Sequence, residues 1–383
     1  MSDNAVYITN IAAFLPNAPV ENDDMEKLLG QVGPRPSRAR RTILRSNGIK
    51  QRHYAIDPQT LKHNFTNAQI TANAITKLQD DNFDLNNLDC LACGTSLPDQ
   101  LMPSHAVMVH GELNIPCCEV IATSGICLSG ISSLKYAYMA LLSGSHQNAI
   151  ATGSDLPSAI MTARNFSGES EFNDNEYHKH PELAFDKDFL RWMLSDGAGA
   201  VLLERKPRKN QLSLRIDWID IFSYAGEIDT CMYAGAVKED DGRLRGWASF
   251  NQDEQQQLSI MSVKQDVKLL NDNIIHYSVV RPLRKLIERH QLHADDIDLF
   301  LPHFSSNFFR DKVHEGIKQA GIDIPQQRWF TNLCSKGNTG AASIFIMLDE
   351  LYHSDHLKKG QKILCYVPES GRFSSSFMLM TAV

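Results

Sequence analysis

The sequence has no run of roughly 18 or more consecutive apolar residues, so a membrane-spanning helix is not expected. Its first residues, MSDNAVYITNIAAF, lack a basic stretch followed by a long apolar run, so a secretory signal is not expected either. Excess positive charge is also missing. Lys and Arg number 38 against 45 Asp and Glu, a net charge of −7, whereas a general nucleic-acid binder usually carries a basic balance. Local basic patches stay open. A zinc-binding set is incomplete as well: Cys90 and Cys93 in LDCLAC have CxxC spacing, but no second CxxC or HxxxH accompanies them. That segment also reads as a buried strand in which cysteine serves as a small apolar residue. The expectation is a cytoplasmic protein with its eight cysteines reduced and no metal.

What is present is an alternation of strand-like and helical segments along 383 residues, long enough for two sizeable cores or one duplicated core. Strand-like stretches fall at 5–14, 88–96, 117–123, 148–155, 196–204, 213–223 and 298–304, and 362–383 reads as two strands joined by a Ser-Gly-Arg turn. Helical spacing marks 66–79, 127–144 and 265–290. Such alternation favours an α/β fold. RKPRKNQ (205–211), polar and broken by Pro207, is the candidate linker, dividing the chain into 1–205 and 206–383 with similar patterns on both sides. Residues 164–190 are acid-rich and irregular, which suits either a lid or a solvated surface loop. His178 and His180 within it read as surface residues rather than metal ligands.

Three residues stand where chemistry can be built. Cys127 follows TSGI and opens a long helical segment; a thiol at a helix N-terminus faces the positive end of the dipole, which favours the thiolate. Taken alone, the segment also suits a buried, inert cysteine. His303 follows a hydrophobic strand in LFLPHFSSN, and Asn338 sits in the glycine-bracketed turn SKGNTGAAS. Singly, each suits a structural role; together, a Cys, a His and an Asn at strand–helix junctions can form a nucleophile with two proton-donating partners.

In order and approximate spacing, TSGICLSG, LSDGAGAVLLE, LFLPHFSSN, KGNTGAASI and PESGRFSSSF resemble β-ketoacyl-carrier-protein synthase III. SNGIKQRHYA (46–55) is similar to that family's N-terminal Gly-Ile segment, and MPSHA, with Met102, to its dimer-contact strip. The resemblance covers nearly the whole chain. It implies a thiolase-like five-layered αβαβα fold from two similar α/β halves, the first carrying the Cys and the second the His and Asn. It implies that Cys127 takes an acyl group from a thioester, that His303 and Asn338 stabilise the enolate or oxyanion, and that the N–H groups of Cys127 and Gly371 form the oxyanion hole. A homodimer follows, with Met102 of one copy near the other's acyl pocket. Acyl-coenzyme A or acyl-carrier-protein thioesters are the implied substrates, with no further cofactor. An acyltransferase making an ester or amide on the same scaffold is the alternative.

The sequence departs from that family in two places. Where three glycines usually stand before the last strand, this chain has Glu369-Ser370-Gly371-Arg372. Glu369 and Arg372 can support an extra proton transfer, such as cyclisation of a product, or form an ion pair or an exposed turn. The PESGRF ending resembles ketosynthases that join a β-ketoacyl thioester to a second acyl chain and close a dialkylresorcinol or cyclohexanedione ring. No counterpart of the entrance tryptophan is found, and Phe308 stands where an arginine is expected. Instead the chain offers Arg35, Arg38, Arg40, Arg41 and Arg45, with Lys264, Lys268 and Arg310. These residues either steer an acidic carrier protein or form an ordinary basic surface.

Overall fold

The computed structural model describes residues 5–32, 40–166 and 190–383. Arg35, Arg38, His178, His180 and nearly all of the acid-rich segment lie outside the described residues. Among those described, no helix is long and apolar enough to cross a membrane.

Nine strands form the main sheet: β1 (Tyr7–Phe14), β2 (Cys90–Thr95), β3 (Glu119–Ser124), β4 (Asn148–Asp155), β5 (Gly197–Glu204), β6 (Leu214–Ser223), β7 (Leu299–Pro302), β8 (Lys362–Glu369) and β9 (Ser374–Ala382). Their order is β7-β8-β9-β6-β1-β5-β4-β2-β3. The two halves of this order mirror each other. In one, β2 lies parallel to β4, β4 antiparallel to β5, and β5 antiparallel to β1. In the other, β7 lies parallel to β8, β8 antiparallel to β9, and β9 antiparallel to β6. They meet at a short pairing of Tyr7 with Arg215 and Ile8 with Leu214. The chain passes from one half to the other between Glu204 and Leu214, where Arg208 is held by Asp80 and Glu204.

Eight helices cover the sheet: α1 (Arg40–Asn47), α2 (Asn67–Thr76), α3 (His105–Leu113), α4 (Leu128–Leu142), α5 (Val267–Ile275), α6 (Arg281–His290), α7 (Arg310–Ala320) and α8 (Ser343–Tyr352). Shorter pieces join them, among them a π-helical turn at His276–Val280 that links α5 to α6. Strand side chains alternate between faces, and this alternation sorts the core into three bodies. Leu91, Cys93, Ile150 and Leu202 point outward against α2 and α3. Cys90, Ala92, Ala151 and Leu203 point inward against α4 and α8, meeting Ile363, Cys365 and Met378 from the other half. Leu364, Tyr366, Phe377 and Leu379 face α5, α6 and α7 on the far side. The result is helix, sheet, helix, sheet, helix. Each fully buried Leu, Ile or Phe contributes about 1.5–3 kcal/mol.

The alternation also explains why the CxxC spacing makes no metal pair. Positions 90 and 93 differ by an odd number on a strand, so their thiols lie on opposite sides of the sheet. The central layer packs closely. A Cβ on Gly153 would stand 2.1 Å from the Ala341 carbonyl oxygen, and one on Gly130 would stand 2.4 Å from the same atom. Only glycine at both positions lets α4, β4 and the Gly340–Ala342 turn meet there. That turn follows Asn338 directly, so this contact sets the height of the candidate site.

Candidate active site

The candidate residues gather at the carboxyl ends of the parallel strands, the usual place for ligands in α/β sheets. Cys127 follows β3 and stands immediately before α4. His303 follows β7, its N–H donating to the Tyr366 carbonyl at 2.8 Å. Asn338 is fixed at three points. Its N–H donates to the Met193 carbonyl at 2.9 Å, its carbonyl accepts from Ser195 N–H at 2.8 Å, and its Oδ1 accepts from Gly340 N–H at 3.0 Å. With Oδ1 engaged, the NH2 of Asn338 is left as a donor, and it has no partner among the described residues. The His303 ring has none either, and both residues are buried.

Cys127 joins two cavities. The larger, about 450 Å³, is lined by Cys127 and Asn338, by apolar side chains including Leu156, Ile160, Leu194 and Val263, and by Asp155 and Glu369. The smaller, about 50 Å³, is lined by Cys127, His303, Phe304 and Tyr366. Cys127 therefore shares one cavity with the asparagine and the other with the histidine.

The electrostatics differ from the sequence expectation. The helix N-terminus predicts an acidified thiol, yet the Cys127 thiol is pushed well above its ordinary value. Burial is the main cause, followed by the carboxylates of Asp155 and Glu369. Glu369 Oε2 accepts a hydrogen bond from Ile126 N–H at 3.0 Å, and the Leu128 N–H also favours its carboxylate. The carboxylate thus holds the N–H groups that would otherwise stabilise a thiolate, while burial pushes Glu369 itself upward. Asp155 is raised to about 6 by burial, although it accepts from Ala341 N–H at 2.7 Å, Ser96 N–H at 2.8 Å and Ser96 Oγ at 2.9 Å. Desolvation lowers His303 to about 4, so its imidazole is neutral across the physiological range.

Gly371 sits in the turn between β8 and β9. Its carbonyl accepts from Cys231 N–H at 2.8 Å and Met232 N–H at 3.2 Å, while its own N–H has no partner among the described residues. The Cys127 N–H likewise donates to no other described residue. Phe373 closes the turn at φ +56°, a conformation that strains a non-glycine residue. It is held there by complete burial and by Tyr224 N–H donating to its carbonyl at 3.1 Å. Arg372 makes no ion pair with Glu369. It is exposed, and its Nε donates to the Ile228 carbonyl at 2.9 Å.

Other predicted residues lie further out. Met102 is 84% exposed and lines neither cavity. Arg40 is bound to Glu26 and to the Asn22 carbonyl, and its guanidinium lies over Trp192. Arg41 and Arg45 are exposed on α1, which packs against the Asn307–Phe309 turn just before Arg310. Arg310 itself donates to Gln326 Oε1 at 2.8 Å and lies over Trp329. Lys264 Nζ reaches the Leu258 carbonyl, and Lys268 is exposed. Two site residues escaped sequence reasoning. Asp155 ends the ATGSD strand, and a carboxylate closing a buried strand was the available signal. Gln265 borders both cavities with a buried, unpartnered Oε1, and nothing in its local sequence marks it.

Comparison with known proteins agrees with this arrangement. Residues 118–209 match the family model "Beta-ketoacyl synthase, N-terminal domain", and residues 287–376 match "3-Oxoacyl-[acyl-carrier-protein (ACP)] synthase III C terminal". The chain is 25% identical over 355 residues to the beta-ketoacyl-[acyl-carrier-protein] synthase III of Streptococcus agalactiae, covering 92% of this chain and 91% of that one. It is 23% identical over 381 residues to that of Koribacter versatilis, covering 98% and 97%. Among solved structures, OleA of Xanthomonas campestris superposes with a TM-score of 0.75 at 17% identity, covering 98% of this chain and 99% of the other. The tetronic acid condensing enzyme AbyA1 superposes at 0.73 and 18%, covering 98% and 99%. These superpositions establish the fold. The two matched segments are a β-ketoacyl synthase N-terminal domain and a synthase III C-terminal domain, and over nearly its whole length the chain is similar to the β-ketoacyl-[acyl-carrier-protein] synthase III condensing acyltransferases.

Proposed function

We propose that Cys127 accepts an acyl group from a thioester and passes it to the α-carbon of a second thioester. The observation that carries this reading is the placement of Cys127 at the junction of two cavities, with Asn338 on one and His303 on the other. In the first half-reaction the Cys127 sulfur attacks the acyl carbonyl. The N–H groups of Cys127 and Gly371 hold the oxyanion, and the donor thiol leaves with the proton. Neutral His303 takes the Cys127 proton at the start of the attack and is a hydrogen-bond donor afterwards. In the second half-reaction, the NH2 of Asn338 and the imidazole N–H of His303 hold the thioester oxygen of an incoming malonyl or β-ketoacyl group as its enolate forms. A malonyl group loses CO2; a β-ketoacyl group gives up an α-proton. The new C–C bond forms as the bond to the Cys127 sulfur breaks.

Glu369 supports one of these two nucleophiles over the other. A carboxylate at the mouth of the larger cavity is placed to take an α-proton and to return it during ring closure, which favours a β-ketoacyl substrate and a cyclised dialkylresorcinol or cyclohexanedione product. Arg372, exposed at the same rim, is available to a phosphate of the incoming donor. The apolar wall of the larger cavity suits an alkyl chain. Arg41 and Arg45, exposed on the helix that packs against the turn before Arg310, together with exposed Lys268, suit an acidic carrier protein presenting a phosphopantetheine arm. A homodimer is expected across β3. It is an edge strand without a fully buried residue, flanked by exposed Val107 and Met139, with Met102 nearby.

Product analysis tests the reading. Wild type, His303→Ala and Asn338→Ala are incubated with an acyl thioester and either a malonyl or a β-ketoacyl thioester. A product with a new C–C bond is expected from wild type, with both variants slowed by roughly 10²–10³-fold, as when an oxyanion donor is removed. An ester or amide as the only product would replace condensation with simple acyl transfer.

A further inference from the structure

A second cluster of reactive side chains lies at the other end of the first half-sheet. The Sγ of Cys90, a carboxylate oxygen of Glu119 and a ring nitrogen of His146 all lie within 4.8 Å of one another. Cys90 opens β2 and Glu119 opens β3, and the two are register partners in parallel strands. His146 stands in the loop between α4 and β4. The cluster sits at the amino ends of the strands, about 16 Å along β3 from the Cys127 turn at a rise of roughly 3.3 Å per residue.

The cluster is built rather than accidental in its loops. Asp89, the neighbour of Cys90, accepts from Gln147 N–H at 2.8 Å and Asn148 N–H at 3.3 Å, clamping the residues that follow His146. Asp89 N–H donates to Asn148 Oδ1 at 3.0 Å, and the Asp89 carbonyl accepts from Glu119 N–H at 2.9 Å. One residue thus ties together all three segments that carry the donors. Tyr136 on α4 donates its hydroxyl to Glu119, fixing the carboxylate from behind as outer partners of metal ligands do. His146 Nε2 lies 2.9 Å from the other Glu119 oxygen.

We propose that Cys90, Glu119 and His146 form a zinc site that pins the amino end of β3, with water as the fourth ligand. Thiolate sulfur, imidazole nitrogen and carboxylate oxygen are each donors that zinc accepts, and the mixture of soft and borderline donors disfavours magnesium and calcium. Zinc–ligand bonds of about 2.0–2.3 Å require Cys90 Sγ to draw closer and the His146–Glu119 pair, now 2.9 Å apart, to open around the ion, by rotamer adjustment of the partly exposed Glu119 and His146. As the sulfur–zinc bond forms, Cys90 gives up its proton to solvent. The site stands on the edge strand and away from Cys127, so its effect falls on stability rather than on catalysis.

The test uses the full chain with Zn²⁺ alone and with Mg²⁺ for contrast, reading bound zinc per chain and the melting temperature. Wild type is expected to hold one zinc and to melt several degrees higher with Zn²⁺ than with Mg²⁺. His146→Ala, a loop change that leaves the core intact, is expected to lose both effects. Cys90→Ala is expected to lose them too, whereas Cys93→Ala on the opposite face retains them. Equal zinc uptake and equal shifts in wild type and His146→Ala, or no zinc-dependent shift in wild type, would overturn the proposal and leave an ion pair of His146 with Glu119.

Discussion

Replacing Glu369 with Gln isolates the electrostatic control of the Cys127 thiol. Glutamine keeps an oxygen able to accept the Ile126 N–H but removes the negative charge beside the start of α4. The Glu369 carboxylate is bound to the amide one residue before Cys127, and two unit charges about 6 Å apart interact by about 3 kcal/mol at an effective dielectric constant near 20. That corresponds to about two pH units, and partial exposure to the cavity brings the expectation to one or two. The sign follows from the charge: a neighbouring carboxylate opposes the thiolate, so its removal lowers the thiol value. The assay is the pH dependence of iodoacetamide alkylation at Cys127, followed by intact-mass spectrometry. The midpoint is expected to move down by one to two units in Glu369→Gln. A midpoint that stays put or moves up would refute the claim that the Glu369 carboxylate adds to the upward push on the Cys127 thiol.

Further predictions address the fold and the histidine. Gly153→Ala forces a Cβ to 2.1 Å from the Ala341 carbonyl oxygen, and both groups are backbone-fixed. Its unfolding free energy should fall by about 3 kcal/mol or more, a loss of the overpacking kind, read by chemical denaturation. His303 is held near pKa 4 while an unfolded histidine titrates near 6.5, so its contribution to stability is present above about pH 6.5 and is lost as pH falls toward 4. Across that window His303→Ala should lose up to about 3 kcal/mol less stability than wild type, measured by urea unfolding at several pH values. Gln265→Leu keeps the volume of a side chain that borders both cavities and removes its polar end; it should raise KM for the second thioester more than it lowers kcat, in steady-state kinetics.

The strand–helix alternation was readable because the strands are apolar runs bounded by turn residues, and the covering helices carry apolar stripes of their own. The pattern from Cys90 to Thr95 or from Gly197 to Glu204 leaves few other readings. The corners that carry Cys127, His303 and Asn338 were readable for a related reason: glycine, proline and polar residues interrupt apolar runs there. What could not be read was the meeting of distant segments. The thiol of Cys127 is pushed upward by burial and by Asp155 and Glu369, which approach it from β4 and β8, and a local helix-end argument contains none of these causes. Gln265 becomes a cavity residue only because the segment before α5 folds over the site. The arginine-rich run divides in the same way: Arg40 is consumed by Glu26 and Trp192, while Arg41 faces solvent, a difference no spacing rule encodes.

The central claim is that Cys127 is the acyl-loading residue. It is tested most directly by intact-mass spectrometry of wild type and Cys127→Ala after incubation with a panel of acyl thioesters of increasing chain length. One acyl group per chain on wild type and none on Cys127→Ala is the predicted result, with the preferred length reporting the apolar cavity; an acyl adduct that persists in Cys127→Ala, or none on wild type with any donor, would contradict it.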